Sequence, residues 1–332
     1  MSMFYDGNET LTHNALFNFI VGNRGAGKTY WSTGWAIKDF LKTGKQFVYV
    51  RRYDTEFENG KKEQFFDAIK EQFPDNELKV KGYKAYIDGE ICGHFLALSK
   101  AKIEKSTSFP NVNKIIFDEF VLDKGNYYYL PDEVTNFLDL YETVARARQD
   151  VRVFFLSNAI TVTNPYFLFF NILLNGQKRF NKFKNGDILV EMVQNEDFIK
   201  MKKQTRFGKL ISGTSYSQYA IDNKFLRDNN DFLGKKTGKS RHYFTLKYNG
   251  NDYGIWKDSS VGRYFVSKDL DPSCKMVYSI TLDDHTPNTM LLKGGKSLIL
   301  KGFIDNYKLG NVYFESMNLK NITYEIIRLS LI

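Results

Sequence analysis

The sequence predicts an α/β fold: a mainly parallel sheet flanked by helices, followed by a smaller α+β domain. Three observations lead there. Apolar runs alternate with amphipathic stretches through the first half. A glycine-rich turn separates the first apolar run from the first helix-like stretch. Near Asn195 the pattern changes to a basic helix, a polar segment and then short strands with turn signals.

Short apolar runs bounded by polar or turn residues predict strands at Leu16 to Val21, Gln46 to Val50, Ile91 to Leu98, Lys114 to Phe117 and Val151 to Leu156. A hairpin is inserted before the third, with Asp88-Gly89 as the tight turn between Tyr83–Ile87 and Glu90–His94. Thr29 to Lys42 reads as a helix running off the glycine turn. Pro131 to Arg148 reads as another, with Val134, Phe137, Leu138, Tyr141, Val144 and Ala145 at helical spacing. A strand at Ile188 to Val193 is expected to close the sheet.

The basic helix NEDFIKMKKQTRFG takes Asn195 as N-cap and Gly208 as C-cap. LISGTSYSQYA and the polar stretch from Asp222 to Arg241 read as a linker or small lid. Strands follow at Tyr243–Tyr248, Tyr253–Lys257, Arg263–Ser267 and Met276–Thr281, with a turn at Asn249-Gly250. Helices are predicted around Ser297–Tyr307 and Asn318–Leu329. The division expected is 1–195, 196–228 for the lid or linker, and 229–332.

With 42% apolar residues in 332, disordered and fibrous classes are excluded. The formal charge of +9 permits a polyanionic partner and also fits an ordinary globular protein. Cys92 and Cys274 support neither a disulfide framework nor a zinc site, which points to a reducing cytoplasm. The polar N-terminus lacks the order of a signal peptide. The most apolar run, Pro165 to Leu174, is about half the roughly 20 residues that span a bilayer, so a buried element in a soluble chain is expected.

Gly22-Asn23-Arg24-Gly25-Ala26-Gly27-Lys28-Thr29 matches G-x-x-x-x-G-K-[ST] at every fixed position. In a P-loop the glycines let the backbone curl until successive N–H groups face the β-phosphate. Lys28 reaches the β- and γ-oxygens, and the Thr29 hydroxyl is a Mg²⁺ ligand. Ile115-Ile116-Phe117-Asp118-Glu119 is an apolar strand ending in two carboxylates. Asp118 would hold Mg²⁺ from its second shell, and Glu119 would act as general base on a water. That glutamate favours ATP hydrolysis over transfer to a bound acceptor. Gly234 to Ser240 imitates the loop, but with three residues between its glycines and no strand leading in. It reads as a basic loop.

Arg146 and Arg148 end the helix before the fifth strand. Spaced by two, they point in different directions, so one at most reaches a given phosphate. A cation is favoured there by the helix dipole in any case. Ser157-Asn158 follow Val151–Leu156, where they could sense the γ-phosphate or form a turn.

With these residues in hand, the chain resembles the DNA-packaging ATPases of the phi29-type small tailed phages. The resemblance rests on the phosphate loop with Arg24, and on QFVYVRRY (Gln46–Tyr53), FPNVNKIIFDEF (Phe109–Phe120), LSNA, NPYFLFFN and TRFGKLISGT. It is dense in the first half and weakens after about Arg241. It implies an ASCE-type P-loop domain with a lid, then a domain similar to the RNase H-like nuclease of large terminases. It implies a homomeric ring, by family a pentamer, on the capsid portal vertex in the host cytoplasm, drawing double-stranded DNA inward as ATP is hydrolysed. Family members also contact the portal and a structural packaging RNA. By matching positions, Arg146 becomes the favoured finger on a neighbour's ATP and Lys105, in IEKS, a second candidate acting in trans.

Asp252, Asp258, Asp269, Asp271, Asp283 and Asp284 show no spacing that marks a metal cluster. Only Asp283-Asp284 is worth testing, and a docking domain that does not cut DNA is expected. Lys61, Lys62 and Lys124 are candidate phosphate contacts on DNA. The other functions open to such a chain are a P-loop kinase, a packaging nuclease with an accessory ATPase, and a nucleotide-binding assembly factor without motor action.

Overall fold

The computed structural model describes residues 4–58, 60–122, 129–130, 132–158, 164–170, 172, 174, 178–193, 195–214, 217, 232–291 and 297–330. The chain divides into two compact units: Met1–Pro165 with Leu174–Arg227, and Tyr166–Leu173 with Asp228–Ile332.

In the first unit the chain runs α1 (Asn8–Thr12), β1 (Phe17–Gly22), α2 (Lys28–Thr43), β2 (Gln46–Arg51), β3 (Leu78–Lys81), β4 (Lys84–Ile87), β5 (Glu90–Ala97), β6 (Val112–Asp118), α3 (Glu133–Ala145) and β7 (Arg152–Asn158). After α4 (Pro165–Phe169) come β8 (Phe180–Phe183), β9 (Ile188–Val193), α5 (Glu196–Gln204) and α6 (Arg206–Leu210). The sheet order is β3-β4-β5-β2-β6-β7-β1-β9-β8. The six strands from β5 to β9 are parallel, and the pairings at both edges are antiparallel.

All six residues of β1 are buried, as a strand covered on both faces requires. Aromatic stacking fills one layer: Phe19 lies on Phe155 at 4.2 Å and Phe117 on Phe137 at 5.7 Å. Parallel pairing brings the carboxyl ends of neighbouring strands to one edge, and four of them are Arg51, Asp118, Asn158 and Gly22. Ligands of open α/β sheets bind at such an edge.

The predicted strands and helices of this unit are present, with ends shifted by a few residues. Two local expectations are corrected, and two edge strands, β3 and β8, are added. Ile188–Val193 does not close the sheet, because β8 pairs outside it. The short strand β3 was not expected. Gly208 is no C-cap: α5 ends at Gln204, and the Thr205 hydroxyl accepts from Gly208 N at 2.9 Å to start α6. A Cβ at Gly208 would collide with the Lys202 carbonyl, so the glycine serves close packing of the two helices. Asn195 does cap α5, accepting from Phe198 N at 2.9 Å.

The second unit holds β10 (Arg241–Tyr248), β11 (Asn251–Asp258), β12 (Arg263–Ser267), β13 (Val277–Ser279), β14 (Met290–Leu291) and β15 (Val312–Phe314), in the order β14-β13-β10-β11-β12-β15. Three antiparallel strands are extended on both sides by parallel ones. Asn249 and Gly250, both at positive φ, make the predicted hairpin turn. The helices Leu298–Lys308 and Met317–Ser330 contribute Phe303, Leu300, Leu319 and Ile326 to its core. Leu168, from the apolar run, packs against that core. No helix among the described residues is long and apolar enough to cross a membrane.

Candidate nucleotide and metal site

β1 delivers the chain to the turn that starts at Gly22. Gly25 and Gly27 sit at φ +79° and +90°, conformations that cost other residues. Gly27 is the N-cap of α2 and supplies no side-chain cap, and the first-turn N–H groups of a helix started this way suit an anion. Lys28 is 6% exposed. Its ammonium donates to the carbonyls of Gly22 (3.0 Å) and Asn23 (2.8 Å) and lies 3.5 Å from Asn158 Oδ1. Burial lowers its pKa to about 8 against the pull of Asp118.

At the tip of β6 the Asp118 carboxylate meets the Thr29 hydroxyl at 3.2 and 3.3 Å. The phosphate loop and the acidic strand therefore converge. One hydroxyl and one carboxylate, both hard oxygen donors, suit Mg²⁺. Glu119 is at φ 59°, in the left-handed region, and its side chain is 56% exposed.

Two partners of these acids were missed in the sequence. Tyr49 donates to Asp118 Oδ2 at 2.7 Å; burial, then the Asp118 charge, holds its hydroxyl protonated. Arg51 reaches Glu56 and Glu119 at 2.7 Å each and Asp118 at 3.4 Å. Both residues stand in QFVYVRRY on the strand beside β6, two apart and so on one face. That alternation was the available signal.

Ser157 and Asn158 end β7 and register with Val21 and Gly22 beside the loop. The Ser157 hydroxyl donates to the Asn158 carbonyl at 3.0 Å. On the loop's outer side Lys202 of α5 donates to the Arg24 carbonyl at 2.7 Å, and Tyr5 N to the Ala26 carbonyl at 2.8 Å. A cavity of about 320 Å³ opens beside Thr29, Tyr49 and Arg51, walled by Phe57, Phe65 and Phe95.

Lys105 and Arg146 stand away from these groups. Lys105 pairs with Asp139 of α3 at 2.9 Å. Arg146 is the exposed C-cap residue just past the end of α3, at φ 49° and so outside helical geometry. Arg148 differs: its guanidinium donates to the carbonyls of Phe109, Pro110, Val112 and Val144 at 2.6 to 3.1 Å. It ties α3 to the segment leading into β6. Lys61 and Lys62 are described, with Lys62 over the Tyr83 ring at 3.8 Å. Lys124 lies outside the described residues.

The family model described as podovirus DNA encapsidation protein (Gp16) matches residues 1–332. The chain belongs to this encapsidation family. It is 41% identical to the DNA packaging protein of Bacillus phage PZA over 328 residues, 98% of each chain. To the DNA packaging protein of Bacillus phage phi29 it is 40% identical over the same length, again 98% of each. Among solved structures it is similar to a chain of the bacteriophage phi29 genome packaging motor assembly, with TM-score 0.80, 40% identity, and coverage of 99% of this chain and 100% of that one. The N-terminal domain of the phi29 DNA packaging ATPase matches 59% of this chain and 100% of that one, at 45% identity and TM-score 0.55.

In the second unit of this encapsidation-family chain, Asp284 of the Asp283-Asp284 pair is engaged in a turn. Asp284 accepts from Asn249 N and Gly250 N at 2.8 Å each and from the Thr281 hydroxyl at 2.6 Å, holding the hairpin turn. Among the described residues no group of three His, Cys, Asp or Glu is placed to hold a metal. The loop Gly234 to Ser240 leads into a strand, not a helix, and Thr237 bonds to Asp258 at 2.5 Å.

Proposed function

We propose that this chain hydrolyses Mg²⁺-ATP at the carboxyl edge of its first sheet and uses the cycle to draw double-stranded DNA into a capsid. The observation that carries the reading is the 3.2 Å approach of the Thr29 hydroxyl to the Asp118 carboxylate, at the start of a helix with no side-chain cap. Gly22 to Gly27 wrap the phosphates, Lys28 binds the β- and γ-oxygens, and Thr29 with Asp118 holds the metal. Glu119 acts as general base on water. Ser157 and Asn158 line the γ-phosphate side. Residues 196–228 act as a lid, a role supported by the Lys202 contact with Arg24.

Arg146 and Lys105 complete the site of a neighbouring subunit in a ring, by family a pentamer. Both are exposed, Lys105 paired with Asp139 of α3 and Arg146 just past the end of that helix, which supports a role at an interface. The ring docks on the capsid portal, with a structural RNA as a further partner, in the host cytoplasm; likeness to a chain of the phi29 genome packaging motor assembly supports the assembly into a motor. DNA contacts are to phosphate, with Lys61 and Lys62 among the candidates. Residues 229–332 dock and do not cut.

Phosphate release, measured over a range of protein concentrations with and without duplex DNA, tests the proposal. Specific activity should rise with concentration and with DNA. Constant specific activity in both series would count against shared sites. Release only with an added acceptor would indicate a kinase, and nicking of plasmid with Mn²⁺ a nuclease.

A further inference from the structure

A second arginine follows Arg51, and its guanidinium turns inward. Arg52 and Glu133 form an ion pair with side chains only 2% and 1% exposed, Nε to Oε2 and Nη2 to Oε1 at 2.8 Å each. The guanidinium lies over the Phe117 ring at 5.5 Å and the Tyr129 ring at 5.0 Å. Two further donors go to main chain: Nη1 to the Glu119 carbonyl at 3.1 Å and Nη2 to the Phe120 carbonyl at 2.7 Å. A buried pair of this kind adds little net stability, because desolvation offsets the attraction. What it does add here is a fixed fork of donors aimed at one turn of backbone.

That turn needs holding. Glu119 has a φ of 59°, a conformation unfavourable to a residue with a Cβ. Its N–H is held by Asp118 Oδ1 at 3.1 Å and its carbonyl by Arg52. Glu133 in turn accepts from Leu130 N at 2.9 Å, which fixes the other end of the fork.

We propose that Arg52, braced by Glu133, is a positioning residue for hydrolysis: it holds the Glu119 backbone in the left-handed turn that carries the carboxylate to the sheet edge. The inference rests on the reading of Glu119 as general base. It requires Arg52 to act through Glu119, without touching nucleotide.

The test uses full-length Arg52→Lys and the apolar double variant Arg52→Met with Glu133→Leu. Each is also made with Glu119→Gln. Melting temperature, affinity for a fluorescent ATP analogue with Mg²⁺, kcat and KM are read for all. A lysine keeps the charge pair without the fork, and the apolar pair keeps the volume. Both variants should fold and bind nucleotide within about threefold of the parent, while kcat falls by about tenfold or more. In the Glu119→Gln background the same changes should cost nothing further, since both act on one group. A folded variant with kcat within about twofold of the parent would overturn the proposal, as would an additive loss in the Glu119→Gln background. Failure of both variants to fold would also overturn it, by placing the pair in the fold alone. If Glu119→Gln itself hydrolyses ATP at the parent's rate, the reading of Glu119 fails instead, and that result is separate.

Discussion

Nη2 of Arg51 lies 2.7 Å from a carboxylate oxygen of Glu119, and Nη1 of the same side chain lies 3.4 Å from Asp118. One cation thus faces both acids at the tip of β6. Without it, Asp118, Glu119 and Glu56 would stand together as like charges, and a divalent ion would be the natural replacement. Arg51→Met should therefore tighten binding of Mn²⁺ in the absence of nucleotide, by about tenfold, a gain of ~1.4 kcal/mol. Titration followed by electron paramagnetic resonance checks this, and unchanged affinity would show that Arg51 does not neutralise the acids.

Arg146 and Arg148 should separate cleanly. Arg148→Ala removes donors to four carbonyls and should lower stability by roughly 2 kcal/mol, seen as a fall in melting temperature. Arg146→Ala, at an exposed position, should leave melting unchanged while reducing hydrolysis. Mixing Arg146→Ala with Glu119→Gln subunits should restore part of the activity. Mixtures no faster than either variant alone would remove Arg146 from the trans role.

His94 gives the fold a pH dependence. Burial, with Lys84 nearby, lowers its pKa from the ordinary 6.5 to about 4. The unfolded chain takes up a proton on this ring below about pH 6.5, whereas the folded chain does not until about pH 4. Stability therefore falls as pH drops through that window, on the order of 2 kcal/mol once the ring's partial exposure is allowed for. His94→Gln should lack this component. Denaturant unfolding of both proteins at several pH values between 4 and 7 reads the difference.

Much of the first unit was legible because a parallel sheet writes its strands as apolar runs. Strands β3 and β8 were missed for a local reason: LKVK and FNKF are short, half polar and at the sheet edges. The break between α5 and α6 turns on Thr205, whose hydroxyl caps α6, while the continuous polar sequence around it reads as one helix.

At the candidate site, the glycine turn and the acids that meet it were legible as contiguous strings. For Arg51 and Tyr49 the alternation puts both on one face of β2, but that β2 lies beside β6 is a matter of tertiary pairing, which local sequence does not carry. The Arg52–Glu133 pair joins residues 81 apart in the chain, and nothing in the local sequence of either announces the other.

In the proposed function Lys28 and the first-turn amides of α2 grip a triphosphate, and Asp118 and Glu119 bring metal and water to it. Steady-state phosphate release by full-length Lys28→Ala at saturating Mg²⁺-ATP tests that most directly. A fall of roughly 100-fold or more is predicted. Release at the unmodified chain's rate would contradict it.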